Sequence, residues 1–368
     1  MNAHETPRFS FRRASGVFFI GLAALVLAVR LYYCFQLTLY TTDLLRNLGY
    51  GKAFWDYGFA LYDMTAFDLS PWPCQFLWQN YHYTYPPLTL LLFALIAALH
   101  TSMVWGKIVL TLFDALSAWI IGRASGDRWL GLLYWINPIS IWYTSREGQF
   151  EGFVVFWTVL AVWALQRRKP WAYGLLGAAV QTKFFPLFLG PLFLARMSWK
   201  APARLAREWA WGLAAFLPSL LAFMWGGYPE HLMEKNYVPP VNPISWSIGE
   251  PGVYQHFPVW LISTHWFVSV GFLLFCLYGM RRTRQVLPWI APVVFVVLVR
   301  LSQMAQFWYF MLLPALCLPV EDGKLRRILF IWSAAFGLLS FHSIFIGPAG
   351  YLNPPDAVVI LKKAFWGF

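Results

Sequence analysis

Residues 174–196 read GLLGAAVQTKFFPLFLGPLFLAR, and the reading of this stretch decides the fold. With its lead-in from 171 it is apolar and long enough to cross a bilayer, which needs about 20 such residues. Both flanks are basic: Arg167, Arg168 and Lys169 come before it, and Arg196, Lys200, Arg204 and Arg207 close it. Basic clusters stay in the cytoplasm, and one crossing cannot start and end on the same side. Lys183 and Pro186 sit at the middle. The stretch is therefore expected to be two half-spans that meet at Lys183 on the outer side, a break tolerated where it lines a cavity.

The rest of the chain agrees. Of 368 residues, 59% are apolar and 12% charged, too little charge to cover a soluble domain, which carries about 25%. The mean hydropathy is +0.54. Disorder, a coiled coil and a disulfide scaffold are excluded. The net charge of +12 does not indicate nucleic acid, because Lys and Arg fall in short clusters between apolar spans. Spans are expected near 16–39, 85–100, 103–122, 129–144, 152–166, 171–196, 208–226, 258–280, 286–300, 304–320 and 328–347. The expected fold is an all-α polytopic membrane protein with about 11–13 transmembrane helices, some short and broken. It forms one domain over 1–368, with outer loops at 40–85 and 226–257. The pair at 85–122 needs an odd number of crossings, so one of its two helices is expected to be partly re-entrant. Cys34, Cys276 and Cys317 fall in spans and Cys74 is alone in a loop, so neither a disulfide nor a metal site is expected.

In the first outer loop, LYTTDLLRNLGYGKAFWDYG at 39–58 predicts a helix capped by Thr41 or Thr42, with Leu44, Leu45, Leu48 and Phe54 on one face. Trp55, Tyr57, Trp72, Trp78 and Tyr81 around it suggest an amphipathic helix lying along the membrane interface. Asp43 at its start either deprotonates a sugar hydroxyl held at the membrane surface or merely favours the positive end of the helix dipole. His82 precedes Tyr85-Pro86-Pro87, where proline suits a helix start; it is an interfacial histidine or a site residue. Arg146, Glu147, Gln149 and Glu151 crowd a short outer connector, in which Gly148 and Gly152 let the backbone bend or approach a ligand. A plain polar turn is the alternative. Lys183 needs water, a partner or an anionic ligand such as a lipid phosphate, the other choice being a buried carboxylate, Asp114 or Glu151. Arg300 snorkels or joins the site. Lys107 and Asp114 are expected to pair with each other structurally.

Taken in order, these motifs resemble the GT-C superfamily of membrane glycosyltransferases, which take sugars from polyprenyl-phosphate carriers. The ordered set is Asp43, GFALYD at 58–63, YTYPPLTLLLFAL at 83–95, NP at 137–138, GQFEG at 148–152 and the 174–196 stretch. It is similar to the bacterial polyprenyl-phosphomannose-dependent branch over roughly the first 200 residues. The resemblance implies Asp43 as catalytic aspartate and Lys183 near the carrier phosphate. From their own positions, Arg300, Arg146, His82, Gln149, Glu147 and Glu151 are expected as further substrate contacts. The resemblance also implies a polyprenyl-phosphate sugar as donor and no separate cofactor; a lipid-linked or glycan acceptor is expected beside it. Many relatives carry paired acidic residues in the first loop, whereas Asp43 is followed by Leu44 and Leu45, so no metal is expected. The chain is expected to be a monomer in the cell (inner) membrane, among membrane lipids, with its active site on the extracytoplasmic side and no nucleic-acid partner. A lipid or sugar transporter or flippase is the alternative; the lack of a repeat between the two halves argues against it.

Overall fold

The computed structural model describes residues 11–36, 42–65, 68–69, 82–226, 259–301 and 307–344. The described residues are helical, with no strand beyond a single antiparallel bridge between Thr65 and His82. Helix α1 spans Phe11–Cys34 and α2 spans Thr42–Tyr57, which runs on into a 3-10 turn at Gly58–Asp63. Helices α3 and α4 follow at Pro87–Leu99 and Met103–Ser125. Among the described residues two stretches, Gly16–Cys34 and Met103–Ser125, are long and apolar enough to cross a membrane.

The 85–122 region divides unequally. Pro87 stands in the first turn of α3, where its missing N–H is no loss. At 13 residues, α3 is about 20 Å long, short of the roughly 30 Å hydrocarbon core. Helix α4 has 23 residues and starts on the Ser102 hydroxyl, which accepts the Trp105 N–H at 3.1 Å. The short member of the pair is thus α3.

Helix α2 forms over the residues from which the sequence predicts a helix, but its apolar face is not left for lipid. Leu44, Leu45 and Leu48 are buried in the main core, and α2 packs along α3. Gly51 lies so close to the Phe93 backbone that no Cβ would fit. Trp55 and Tyr57 remain exposed, the former donating its indole N–H to the Ala94 carbonyl at 2.9 Å. Thr41 and the aromatics Trp72, Trp78 and Tyr81 lie outside the described residues.

Two expected spans are broken. The 129–144 stretch ends its first helix, α5 (Arg128–Trp135), at Ile136. Asn137 then caps a new start, its side-chain oxygen accepting the Ile139 N–H at 3.0 Å, and Pro138 follows. The new turn widens into a π-helix over Ile141–Arg146. The 208–226 stretch is likewise two pieces, Pro202–Ala214 and Leu217–Trp225, with Pro218 in the first turn of the second. Helix α6 (Glu151–Gln166) packs on α4 and on α7 (Ala172–Val180). After α7 the chain breaks, as the sequence predicts, and resumes as a 3-10 turn at Phe185–Leu189 and a helix at Gly190–Arg196. Further helices occupy Val259–Thr283, Leu287–Leu301 and Gly323–Ile344, with Phe307–Leu312 and Leu313–Cys317 between the last two. Cys34, Cys276 and Cys317 are buried free thiols; Cys74 and residues 227–257 of the second outer loop lie outside the described residues.

Lys107 and Asp114 do not pair. Asp114 is fully buried and belongs to Arg30 of α1: Arg30 Nη1 donates to Asp114 Oδ2 at 3.1 Å and to Ser145 Oγ at 3.1 Å. Nη2 donates to Ser140 Oγ at 2.6 Å and, with Nε, to the Trp135 carbonyl. Tyr134 OH donates to Asp114 Oδ1 at 2.6 Å, and Ser140 to Oδ2. Seven residues on from Lys107, Asp114 lies two turns further along the same helix, beyond the i,i+4 reach of a facing pair. Lys107 instead donates to the Gln36 carbonyl at 2.8 Å.

Candidate active site

The connector between the π-turn and α6 is shaped by one glycine. Gly148 has φ +73°, the left-handed conformation that closes a helix end. Its N–H donates to the Thr144 carbonyl at 3.1 Å, and the Gln149 N–H to the Tyr143 carbonyl at 2.8 Å. A Cβ at Gly148 would overlap the Leu44 side chain, so the connector sits directly against the start of α2. Gly152 similarly gives room to the Asp114 carboxylate. Both glycines do serve a close approach, and what approaches is protein.

Three consecutive side chains then link the two leading candidates from the sequence. Gln149 Nε2 donates to Asp43 Oδ2 at 3.2 Å. Glu151 forms an ion pair with Lys183. Between them, the Phe150 ring stands 4.8 Å from the Tyr85 ring, edge to face, and 5.1 Å from the Lys183 ammonium. Asp43, near the first turn of α2, and Lys183, at the break after α7, thus converge on Gln149-Phe150-Glu151.

At the Asp43 end, Arg46 one turn along α2 places Nη2 3.1 Å from Asp43 Oδ1. The Arg46 side chain is 3% exposed and that of Asp43 19%, so the arginine is embedded and the carboxylate is partly accessible. Arg46 also donates to Tyr85 OH at 3.0 Å. Tyr85 is held in turn by its carbonyl, which accepts from Tyr62 OH at 2.8 Å. Asp43 is therefore fixed from two sides, by Arg46 and Gln149.

At the Lys183 end the ammonium lies 4.1 Å from the Tyr309 ring centroid. The side chains of Lys183 and Glu151 are 10% and 3% exposed. Of the two partners the sequence offers for Lys183, Glu151 is the one it has. Glu151 opens α6, where the helix dipole favours a carboxylate. Pro186 cannot donate a backbone N–H. The Thr182 carbonyl, freed by the break, accepts from Thr89 Oγ1 at 3.0 Å.

The remaining candidates scatter. Arg146 lies 3.7 Å over the Trp142 ring and 3.6 Å from Glu147, which is buried. They flank the connector without joining the Asp43 or the Lys183 contacts described above. His82 is held by its backbone bridge to Thr65 on the first-loop side. Arg300 belongs to the helix Leu287–Leu301, with its side chain outside the described residues. Sequence reasoning missed Arg46, Phe150 and Tyr309. The signal for Arg46 is its i,i+3 spacing from Asp43 on an otherwise apolar helix face; Phe150 and Tyr309 are two aromatics among many and carry none.

The arrangement offers a partly accessible carboxylate, a more buried cation, and aromatic rings between them. Such a set can accept a proton at one end and hold an anion at the other. The sequence model of glycosyltransferase family 87 matches residues 83–302. No curated protein and no solved structure matches the chain.

Proposed function

The chain belongs to glycosyltransferase family 87 and is a glycosyltransferase enzyme; from that premise we propose that it uses a polyprenyl-phosphate sugar as donor. The sugar is mannose, and the acceptor is a lipid-linked or glycan hydroxyl. Asp43 takes the proton of that hydroxyl while its oxygen bonds to the anomeric carbon. The bond from that carbon to the phosphate oxygen breaks, and polyprenyl phosphate leaves with the electron pair. Lys183 stabilises the negative charge that grows on the leaving phosphate. Attack and departure on opposite sides of the carbon invert the anomeric configuration. The observation that supports this reading is the joining of Asp43 and Lys183 through Gln149, Phe150 and Glu151.

The chain crosses the cell membrane several times, with this site on the extracytoplasmic side. Helix α1 presents exposed Val17, Phe18, Ile20 and Leu25, a face suited to lipid. Shorter apolar helices, among them Glu151–Gln166 and Phe185–Arg196, complete crossings in pieces.

The test is purified protein with labelled polyprenyl-phosphate mannose and a membrane-lipid acceptor fraction. Transfer with inversion is expected for the parent, and a loss of about 10²–10⁴-fold for Asp43→Asn, which keeps the shape but not the basicity. If Asp43→Asn retains activity within a few-fold of the parent at an unchanged melting temperature, Asp43 is removed from the role of base.

A further inference from the structure

Resting on the carrier-phosphate reading of Lys183, we propose that Glu151 selects the donor sugar, its Oε2 accepting a hydroxyl of the hexose whose phosphate Lys183 holds. Glu151 is 2% exposed, and Oε1 is engaged by Lys183. Oε2 is buried and has no hydrogen-bond partner among the described residues, although a carboxylate accepts about four hydrogen bonds. Two other buried acids, Asp114 and Glu208, are satisfied more fully. Both oxygens of Asp114 are taken by Arg30, Ser140 and Tyr134. Those of Glu208 are taken by Ser198 and Arg204.

The surroundings suit a sugar. Phe150 and Tyr309 flank the Lys183 ammonium, and Tyr309 packs against Phe185 at 4.9 Å with the two rings tilted. Apolar ring faces beside a few placed polar atoms are what a small-molecule site uses to orient its ligand. Lys183 and Glu151 touch, so the groups they bind must belong to neighbouring atoms of one ligand. A phosphate and a hydroxyl on the sugar ring it carries meet that condition. A hydroxyl of the acceptor belongs at the Asp43 end instead. A site built to pair a hydroxyl rejects an analogue that lacks it far more strongly than an apolar pocket rejects a missing methylene.

The experiment measures equilibrium binding to the full chain in detergent. The probes are a short-chain polyprenyl phosphate, the same lipid carrying mannose, and a set in which each mannose hydroxyl is removed in turn. The parent is expected to bind the mannosyl lipid about 10- to 100-fold more tightly than the bare carrier, the range for one charge-assisted hydrogen bond. One deoxy donor should lose that preference. Glu151→Gln should lose most of the same preference yet bind the bare carrier at least as tightly as the parent, because a negative charge beside the phosphate is gone. If Glu151→Gln weakens carrier and donor alike, Glu151 only positions Lys183 and the inference is overturned, with the carrier reading intact. A parent that binds neither lipid overturns both. Should Glu151→Gln not fold, the deoxy series on the parent decides: equal affinity across the series refutes a hydroxyl contact.

Discussion

Lys183→Ala separates a structural ion pair from a phosphate site, because both claims act on one residue. With Glu151 3% exposed, removing the ammonium leaves a buried carboxylate uncompensated, a loss of about 3–5 kcal/mol for pairs of this kind. For 368 residues the unfolding entropy is about 0.8 kcal/mol/K by size scaling. The melting temperature should therefore fall by about 4–6 °C. The double variant Lys183→Met/Glu151→Gln removes both charges and should recover most of that fall, since buried pairs contribute little over neutral replacements. Donor use should not recover with it. If the leaving phosphate is stabilised by Lys183, single and double variants alike need more donor and turn over more slowly.

Melting and donor kinetics are read on the same detergent preparation of each variant. A double variant that regains both its melting temperature and its donor kinetics would sink Lys183 as a phosphate ligand. Lys183 would then be a counterion whose removal merely disturbs Glu151. Lys183→Arg gives a further check: its charge persists with a different shape, so it should remain partly active.

Gly148→Ala should place a side chain in the left-handed region, at about 1–2 kcal/mol, and drive its Cβ into Leu44. Because Leu44 is next to Asp43, turnover should fall at least about ten-fold, the size of a misplacement effect; parent-like stability and rate would show that the connector does not set the Asp43 position. For topology, single cysteines replacing Lys169 and Phe184 in a background without the four native ones are treated with an impermeant thiol reagent on intact cells. Labelling is expected next to Lys183 and not at 169, and the reverse pattern would move the site to the cytoplasmic side.

The helix content and the break at Lys183 were legible because they rest on strong local signals. A lysine and a proline inside an apolar run, with basic residues at both ends, admit few arrangements. Asp43 and Gln149 were legible as candidates, yet their contact was not, being a pairing across 106 residues. Arg30 shows the opposite difficulty. It lies inside the first apolar span and invites a functional reading, but Trp135, Ser140, Ser145 and Asp114 use its donors. The partner of Asp114 was misjudged for the same reason: on one helix Lys107 is near in sequence, whereas the real partner comes from another helix. The division of 129–144 was partly readable in Asn137-Pro138, a cap followed by a residue that starts helices. The apolar content around it favoured one continuous span.

The breaks themselves have a common logic. Interrupting a helix in an apolar setting strands backbone carbonyls, each expensive to leave unpaired. Here the Trp135 carbonyl is taken by Arg30 and the Thr182 carbonyl by Thr89, so each of these two breaks is stabilised by a side chain from a different helix. Those two ties lock α1 to the end of α5 and α3 to the end of α7. The same interruptions let polar groups reach the interior: the turn at Gly148 delivers Gln149 and Glu151, and the break after α7 delivers Lys183. A continuous helix through 181–184 would carry Lys183 on a backbone that must keep its own hydrogen bonds. The ties and the site therefore depend on one another, and loosening Thr89 or Arg30 should disturb the meeting of Asp43 and Lys183 without touching either residue.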